Sequence, residues 1–390
     1  MGNDWCPEKL GEVVDFRSGW RNSQDAVPHG QYPFFTCSQE ILRHNEFDFD
    51  TEAVIMAGNN ADARFHLQYY KGKFAARQRT YIITPKSGDT SCRFIFYLLQ
   101  KLQPHFAAQS QGTTTKFVTI GILRDAPILM PPLSEQEVIT HILGTLDDKI
   151  ELNRRMNETL EAMARAIFKS WFVDATEKGI PKGWKVAEIS DITDVIDCLH
   201  SKKPERREQG FPLLQLWNIR DDGLIDMADT YYIGEADYKL WTTRMEALQG
   251  DCVITNVGRV GAVAQIPEGL RAALGRNMTG IRCKSSFPFP TFLIECFLSE
   301  NMRNEIANKM DTGTILDALN VRNIPKLRVV LPSQELLGRF EELTRPLRAR
   351  MEKNVVESRT LAAIRDALLP KLISGELRIP DAKRIIGEHV

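Results

Sequence analysis

Ser134-Glu135-Gln136-Glu137-Val138-Ile139-Thr140-His141-Ile142-Leu143-Gly144-Thr145-Leu146 opens the stretch whose reading decides the fold. The Ser134 side chain can accept from the Glu137 amide while Glu137 reaches back, a capping box, and Leu133 and Val138 are placed to staple it. Apolar residues then recur at every seventh position, Ile139, Leu146, Leu160 and Ile167, with Asn153 in the middle of the seam. A neighbouring seam carries Ile142, Lys149, Met156, Met163 and Ser170. The spacing predicts a helix from Ser134 to Phe172, about 58 Å long at 1.5 Å per residue.

The pattern returns two hundred residues later. Phe340, Leu347, Asn354, Leu361 and Leu368 make a second seam, flanked by Leu343 and Ile364. Pro346 is expected to kink this helix, and Pro370 with Gly375 to end it. Both seams place an Asn among apolar residues, which costs stability but restricts register. Each helix could pack on its own domain, but the matched register favours the two pairing as a coiled coil.

Working outward, the whole chain repeats. Trp5-Cys-Pro-Glu-Lys-Leu10 resembles Trp184-Lys-Val-Ala-Glu-Ile189, and Tyr32-Pro33-Phe34 resembles Phe211-Pro212-Leu213, both at offset 179. Val54-Ile55 matches Val253-Ile254, and Gln78-Arg79-Thr80 matches Asn277-Met278-Thr279, at offset 199. Gly112-Thr113 and Gly313-Thr314 match at 201, as do Asn153, Thr159 and Leu160 with Asn354, Thr360 and Leu361. A rising offset is what a tandem duplication with about 20 residues inserted into its second copy would leave. Ala53–Ala57 and Thr80–Ile83, with their counterparts Cys252–Thr255 and Thr279–Arg282, are short β-rich runs bounded by turn residues. Phe94–Leu99 and Phe292–Leu298 read as buried helices. The division that follows is 1–133, a helix over 134–175, 176–332, a helix over 333–378, and a tail over 379–390.

Composition excludes several classes. The 390 residues are 43% hydrophobic and 26% charged, ordinary for a globular protein of two or three domains. No apolar run reaches the length of a membrane helix, and the start lacks a secretory signal, so a cytoplasmic location is expected. Seven scattered cysteines without a Cys-x-x-Cys read as reduced, mostly core thiols, and no metal site is visible. No phosphate loop, dinucleotide fingerprint or His-Glu-x-x-His is present, and Pro131-Pro132 lacks the Asp or Asn of an amino-methyltransferase motif, so no catalytic residue is assigned. Asp381-Ala382-Lys383 is only a weak nuclease echo.

Charge is more telling locally than globally. The net charge is −1, yet residues 64–124 hold ten basic groups and one acidic one. Within them Arg64, Lys71, Lys73, Arg77, Gln78 and Arg79 interleave with aromatics. Lys and Arg neutralise phosphates, and Arg, Gln and Asn also match base edges. Asn59 and Asn60 follow the strand Ala53–Ala57, where a loop would present them. In the second copy Asn256, Arg259, Arg276 and Asn277 fall on matching segments, and Lys202, Lys203 and Arg206, with Arg207, form another basic cluster. These fifteen residues are the candidate DNA contacts, Arg207 being grouped with them only as part of its cluster; a solvated surface is the alternative reading.

Several longer stretches carry a resemblance. Pro131-Pro-Leu-Ser-Glu-Gln136, Ile142 to Asn153, Met163-Ala-Arg-Ala-Ile-Phe-Lys-Ser-Trp-Phe172 and Arg359 to Leu377 resemble the DNA-specificity subunit of type I restriction-modification systems. Gly250 to Gly258 and Tyr70-Lys-Gly-Lys-Phe74 resemble its target-recognition domains. The resemblance implies an α+β fold, with two tandem mixed α/β target-recognition domains separated by two long helices that form an antiparallel coiled coil, in a pseudo-twofold internal repeat. It implies a non-catalytic subunit that reads a bipartite, asymmetric double-stranded DNA target. It implies two methylation subunits bringing S-adenosylmethionine and, where the system has them, restriction subunits using ATP and magnesium; no cofactor is expected in this chain and no membrane partner. The alternatives are a stand-alone DNA-modifying enzyme with a degenerate site, and a coiled-coil scaffold that does not touch DNA.

Overall fold

A computed structural model describes residues 5–311 and 317–377. Gly313-Thr314 of the repeat, Asp381-Ala382-Lys383, the tail over 379–390 and the first four residues lie outside the described residues. The chain forms two compact units, Met1–Lys149 with Thr360–Val390, and Ile150–Arg359. Each therefore combines one mixed domain with one half of each long helix.

In the first unit six strands form a sheet in the order Val14–Ser18, Thr80–Pro85, Phe49–Ala57, Leu67–Ala76, Tyr32–Phe35, Leu42–His44. The central strand Phe49–Ala57 is buried without interruption from Ala53 to Ala57. It needs no polar alternation because both faces are covered. Phe35, Phe74 and Ile82 pack on it from the sheet's inner side. The helix Cys92–Lys101 also packs against it; Ser91 caps that helix by accepting from the Phe94 amide, and Phe94, Ile95, Tyr97, Leu98 and Leu99 are buried.

The second unit repeats this frame. The antiparallel pair Cys6–Lys9 with Pro127–Met130 recurs as Lys185–Glu188 with Arg328–Leu331. Val14–Ser18 against Thr80–Pro85 recurs as Thr193–Asp197 against Met278–Cys283. The parallel pairing of Phe34-Phe35 with Ala75-Ala76 recurs as Leu213-Leu214 with Ala273-Leu274. These registers correct the sequence alignment. Ala57 sits opposite Thr80, and Thr255 opposite Met278, so the offset on the central strands is 198, not 199. Arg79 is thus the equivalent of Asn277 rather than of Met278. Both take a left-handed backbone, φ 64° and 63°, and their carbonyls accept from the amides of Gly58 and Asn256 at 2.8 Å. The longer connection of the second copy carries the helix Glu235–Trp241.

The first long helix is Leu133–Phe168, continued by a π-helical turn over Lys169–Val173. It begins earlier than the capping box implied: the Gln136 amide donates to the Pro132 carbonyl at 3.1 Å, which puts Ser134 inside the first turn. The second long helix, Gln334–Ile373, is capped by its Ser, since Ser333 Oγ accepts from Leu336. It runs as one helix through Pro346 and on past Pro370, and closes at Gly375, whose φ of 72° suits a residue without Cβ.

The helices run antiparallel inside each unit. Arg365 Nη1 meets Asp147 at 2.7 Å in the first, and Asn157 Nδ2 meets the Met351 carbonyl at 3.1 Å in the second. The seam departs from strict heptads. Met163 and Leu343 are exposed, while Asn157, Ala164, Thr344 and Arg348 are buried in their stead. A straight helix drifts against a seven-residue repeat, so the contact stripe moves round to the next position.

Candidate nucleic-acid interface

The local charge reading changes once the sheet is seen. Phe49–Ala57 lies directly beside Leu67–Ala76, with Glu52 opposite Lys71 and Asp50 opposite Lys73. Glu52 and Asp50 therefore partly neutralise the basic stretch. Lys71 Nζ pairs with Glu52 at 3.1 Å, and Lys73 Nζ lies 4.7 Å from the centre of the Phe47 ring. Alternation puts both lysines on the strand face opposite Tyr70 and Phe74, which belong to the core.

The remaining candidates of the first domain gather elsewhere. Asn59, Asn60, Arg64 and Arg77 line one open cleft of about 550 Å³ with Cys37, Ser38, Gln39, Asp62 and His66. Three segments meet there: the chain leaving the strand Tyr32–Phe35, the residues following Phe49–Ala57, and the end of Leu67–Ala76. Asn59 and Asn60 are not a free loop but a two-residue strand against Lys116–Phe117. Asn60 Nδ2 contacts His66 Nε2 at 3.1 Å, and its Oδ1 accepts from the Asp62 amide. Asn59 Oδ1 and Arg77 Nε are buried with no hydrogen-bond partner. A buried polar atom left unpaired costs about 1–3 kcal/mol, so both keep bonding capacity at the cleft wall. Gln78 and Arg79 are exposed beside it; Gln78 Nε2 donates to Asn22, and Cys37 Sγ lies 3.4 Å from the Arg79 carbonyl.

In the second domain the candidates divide differently. Asn256 is not a surface contact. It is 5% exposed, Nδ2 donates to the Leu319 carbonyl at 3.1 Å, and Oδ1 accepts from Thr279 at 3.0 Å. Its side chain ties the central strand to the Leu319 backbone, and its burial closes it to DNA. Asn277 is exposed, with its carbonyl held by the Asn256 amide. Arg259 is held by Asp221 and the Ile219 carbonyl. Arg276 Nε donates to Ser201 at 3.0 Å and remains exposed.

Lys202, Lys203 and Arg206 sit on an exposed loop with Arg207. Lys203 Nζ stands 4.2 Å from the centre of the Tyr231 ring and 5.4 Å from that of Trp217. Burial, and then the neighbouring Arg206, push the Lys203 ammonium below its usual range. Arg206 pairs with Asp229 and lies over Tyr231 at 5.7 Å. Trp217 and Tyr231 were not among the candidates, and neither were Cys37, Ser38, Gln39 and His66. A Trp three residues past the strand Phe211–Leu214 was the available signal for the first pair. Nothing in the sequence marked the cleft, since three distant segments build it.

Among the described residues Asp197, Cys198 and His200 are the one group that could converge on a metal ion, their ligand atoms lying within 4.8 Å of one another. The Asp197 carboxylate is already engaged by His200 at 2.8 Å and approached by Arg244 at 3.7 Å. No described helix is long and apolar enough to cross a membrane.

Two repeated α/β frames, each bearing cations and amides at the same strand ends and each packed with halves of two antiparallel helices, define a DNA-specificity architecture. The family described as "Type I restriction modification DNA specificity domain" matches residues 2–162. The EcoDI specificity subunit of Escherichia coli is 31% identical over 99% of this chain and 92% of its own length. The MjaIX specificity subunit of Methanocaldococcus jannaschii is 29% identical over 77% of this chain and 72% of its own. A type I restriction-modification S subunit from M. genitalium has the same fold, with a TM-score of 0.63 at 16% identity, covering 95% of this chain and 96% of that one. The chain belongs to the family of type I restriction-modification specificity subunits.

Proposed function

We propose that this chain is the non-catalytic subunit that reads a split, asymmetric DNA target for a type I restriction-modification complex. Each mixed domain reads one half, and the antiparallel helices set the separation between halves. The subunit assembles in the cytoplasm with two methylation subunits, which bring S-adenosylmethionine, and with restriction subunits using ATP and magnesium where the system has them. The observation that carries this reading is the cleft of the first domain, where Asn59 and Arg77 hold unpaired bonding atoms beside Asn60 and Arg64. Asn and Arg are the side chains that pair bidentately with adenine and guanine edges.

Methylome sequencing of cells carrying the complete system tests it. A bipartite methylated motif is expected, lost when this chain is deleted, and Arg77→Ala should relax only one half of that motif. A continuous motif, or methylation that survives deletion of the chain, overturns the reading.

A further inference from the structure

Trp217 is 48% exposed, yet it is not loosely held. Its Nε1 donates to the Asp229 carbonyl at 2.9 Å. It rides on the single turn Leu216–Asn218, fixed by the buried Asn218, whose Oδ1 accepts from Gln215 at 2.8 Å and whose Nδ2 donates to Asp226 at 2.6 Å. Leu216 packs against the domain core. The indole is thus presented with its conformational freedom already spent, which is how a rigid contact is made at low entropic cost.

Its surroundings are cationic. Lys203 lies against both the Trp217 and Tyr231 rings, and Arg206 over Tyr231. Lys202 and Arg276 stand exposed on the adjoining loops. The repeat fixes the place. The Arg77 amide donates to the Phe35 carbonyl, and the Gly275 amide to the Leu214 carbonyl, so these strand ends are equivalent. Three residues beyond them stand Ser38 in the first domain and Trp217 in the second. Ser38 lines the cleft. Gly275, a residue without a side chain, takes the position of Arg77.

We infer that Trp217 is the second domain's stacking contact, inserting against an opened base step of the duplex in that domain's half-site. This rests on the DNA-specificity reading above and adds to it a mode of reading: the first domain offers amide and guanidinium groups from a cleft, and the second offers an aromatic wedge flanked by phosphate-neutralising cations. Wedging side chains open base steps and so favour sequences that deform easily. Base–aromatic stacking tolerates any base face, so specificity at this point comes from the deformability of the step rather than from edge hydrogen bonds.

The test uses the full chain assembled with its methylation subunits, and duplexes whose target comes from methylome mapping. The second half-site carries 2-aminopurine at successive positions. In the unsubstituted complex, fluorescence should rise at one step. Trp217→Ala should abolish that rise and weaken binding about 5- to 100-fold. The loss should vanish on DNA with a scrambled second half, and Trp217→Phe should restore most of the affinity. Equal affinity and an unchanged fluorescence rise for Trp217→Ala, while the unsubstituted complex still discriminates its target, overturn the wedge alone. Failure of Trp217→Ala to assemble with the methylation subunits also overturns it and makes the ring a protein contact. No discrimination by the unsubstituted complex overturns the specificity reading itself.

Discussion

Asn354 donates its side-chain amide to Asn157 Oδ1 at 2.7 Å, and the same bond one repeat away runs from Asn153 to Ser358 Oγ at 3.3 Å. Asn153 also donates to Glu357 at 2.8 Å. The two seam asparagines do not meet each other; each reaches across to the position that is the other's neighbour one turn along. A slip of one turn would break both of these bonds; in one direction it would set the two asparagines against each other instead.

That arrangement makes the pair a register device. Each Asn is 1% exposed and keeps a buried Oδ1 without a partner. Each net hydrogen bond is worth about 1 kcal/mol, and each orphaned acceptor costs about 1–3 kcal/mol. The double variant Asn153→Leu with Asn354→Leu should therefore unfold at an unchanged or higher urea midpoint. It should also tolerate targets whose spacer differs by a base pair from the native one. Binding across a spacer series checks this, and a tolerance as narrow as that of the parent would remove the register role.

The aromatic end of the first helix carries its stability in Phe172, not Trp171. Phe168, Trp171 and Phe172 cluster where the chain leaves that helix for the second domain. In the structure Phe172 is 5% exposed and touches Phe168, Phe292 and Phe340 at ring separations of 5.2, 5.1 and 5.0 Å. Trp171 is half-buried, with the Arg339 guanidinium 5.8 Å from its ring. Phe172→Ala should cost about 3–5 kcal/mol and Trp171→Ala clearly less. Chemical denaturation of the two variants gives the order directly.

The two long helices, the duplication and the central strands were legible because each is a periodic or repeated signal within one segment. Asn153 and Asn354 were found for that reason, and the heptad seam failed where a straight helix drifts, as at Met163 and Leu343. The candidate site was less legible because it is tertiary. Lys71 and Arg77 are six residues apart, yet strand alternation and the turn that follows send them to different places. Asn256 looked like a loop residue, but a one-residue shift in the repeat makes it the equivalent of Gly58, at the strand end, where its side chain is drawn inward to bind the Leu319 carbonyl.

A buried ion pair joins the second helix to its domain. Arg348 Nη1 meets Glu295 at 2.9 Å, both side chains being no more than 3% exposed, and Nη2 donates to the Gly223 carbonyl at 2.8 Å. Removing one partner strands the other's charge, so Arg348→Met or Glu295→Gln should destabilise by about 3–5 kcal/mol. The double change Arg348→Met with Glu295→Leu should recover much of that loss. Urea midpoints of the three variants test it; equal losses in all three would mean packing, not charge, sets the cost.

Thiol labelling maps the cleft. Burial pushes the Cys92, Cys283 and Cys296 thiols up to about 12, so at pH 8 only about one in ten thousand is thiolate. Cys198 and Cys252 are buried and likewise raised. Cys6 is exposed and Cys37 partly so. A folded sample at pH 8 should therefore label quickly at Cys6 and Cys37 only. Cognate DNA should slow the reaction at Cys37, which lines the cleft, and leave Cys6 unchanged; equal rates with and without DNA would place the duplex elsewhere.

Positioning and reading in the first domain should separate by mutation along the line the structure draws. Lys73 stands over Phe47 on the outer face of its strand, and Lys71 is held by Glu52. Where such a lysine meets a phosphate, its removal weakens binding to every DNA alike and lowers the salt slope by about 0.9. Lys71 must first leave Glu52, so Lys71→Ala should cost less than Lys73→Ala. Arg77 differs, because its Nε is already desolvated and unpaired in the cleft wall. Arg77→Ala should lose about 1–3 kcal/mol on the cognate first half-site and much less on a scrambled one, with the second half-site unaffected. Asn59→Ala should behave likewise, whereas Asn256→Ala should leave base preference intact and destabilise the second domain, since it removes two internal bonds. Salt-titrated binding of each variant, assembled with its methylation subunits, to cognate and half-scrambled duplexes provides the measurement. Equal losses on all DNAs for Arg77→Ala and Asn59→Ala would reduce the cleft to an electrostatic platform and move base reading to Gln78 and Arg79 at its edge.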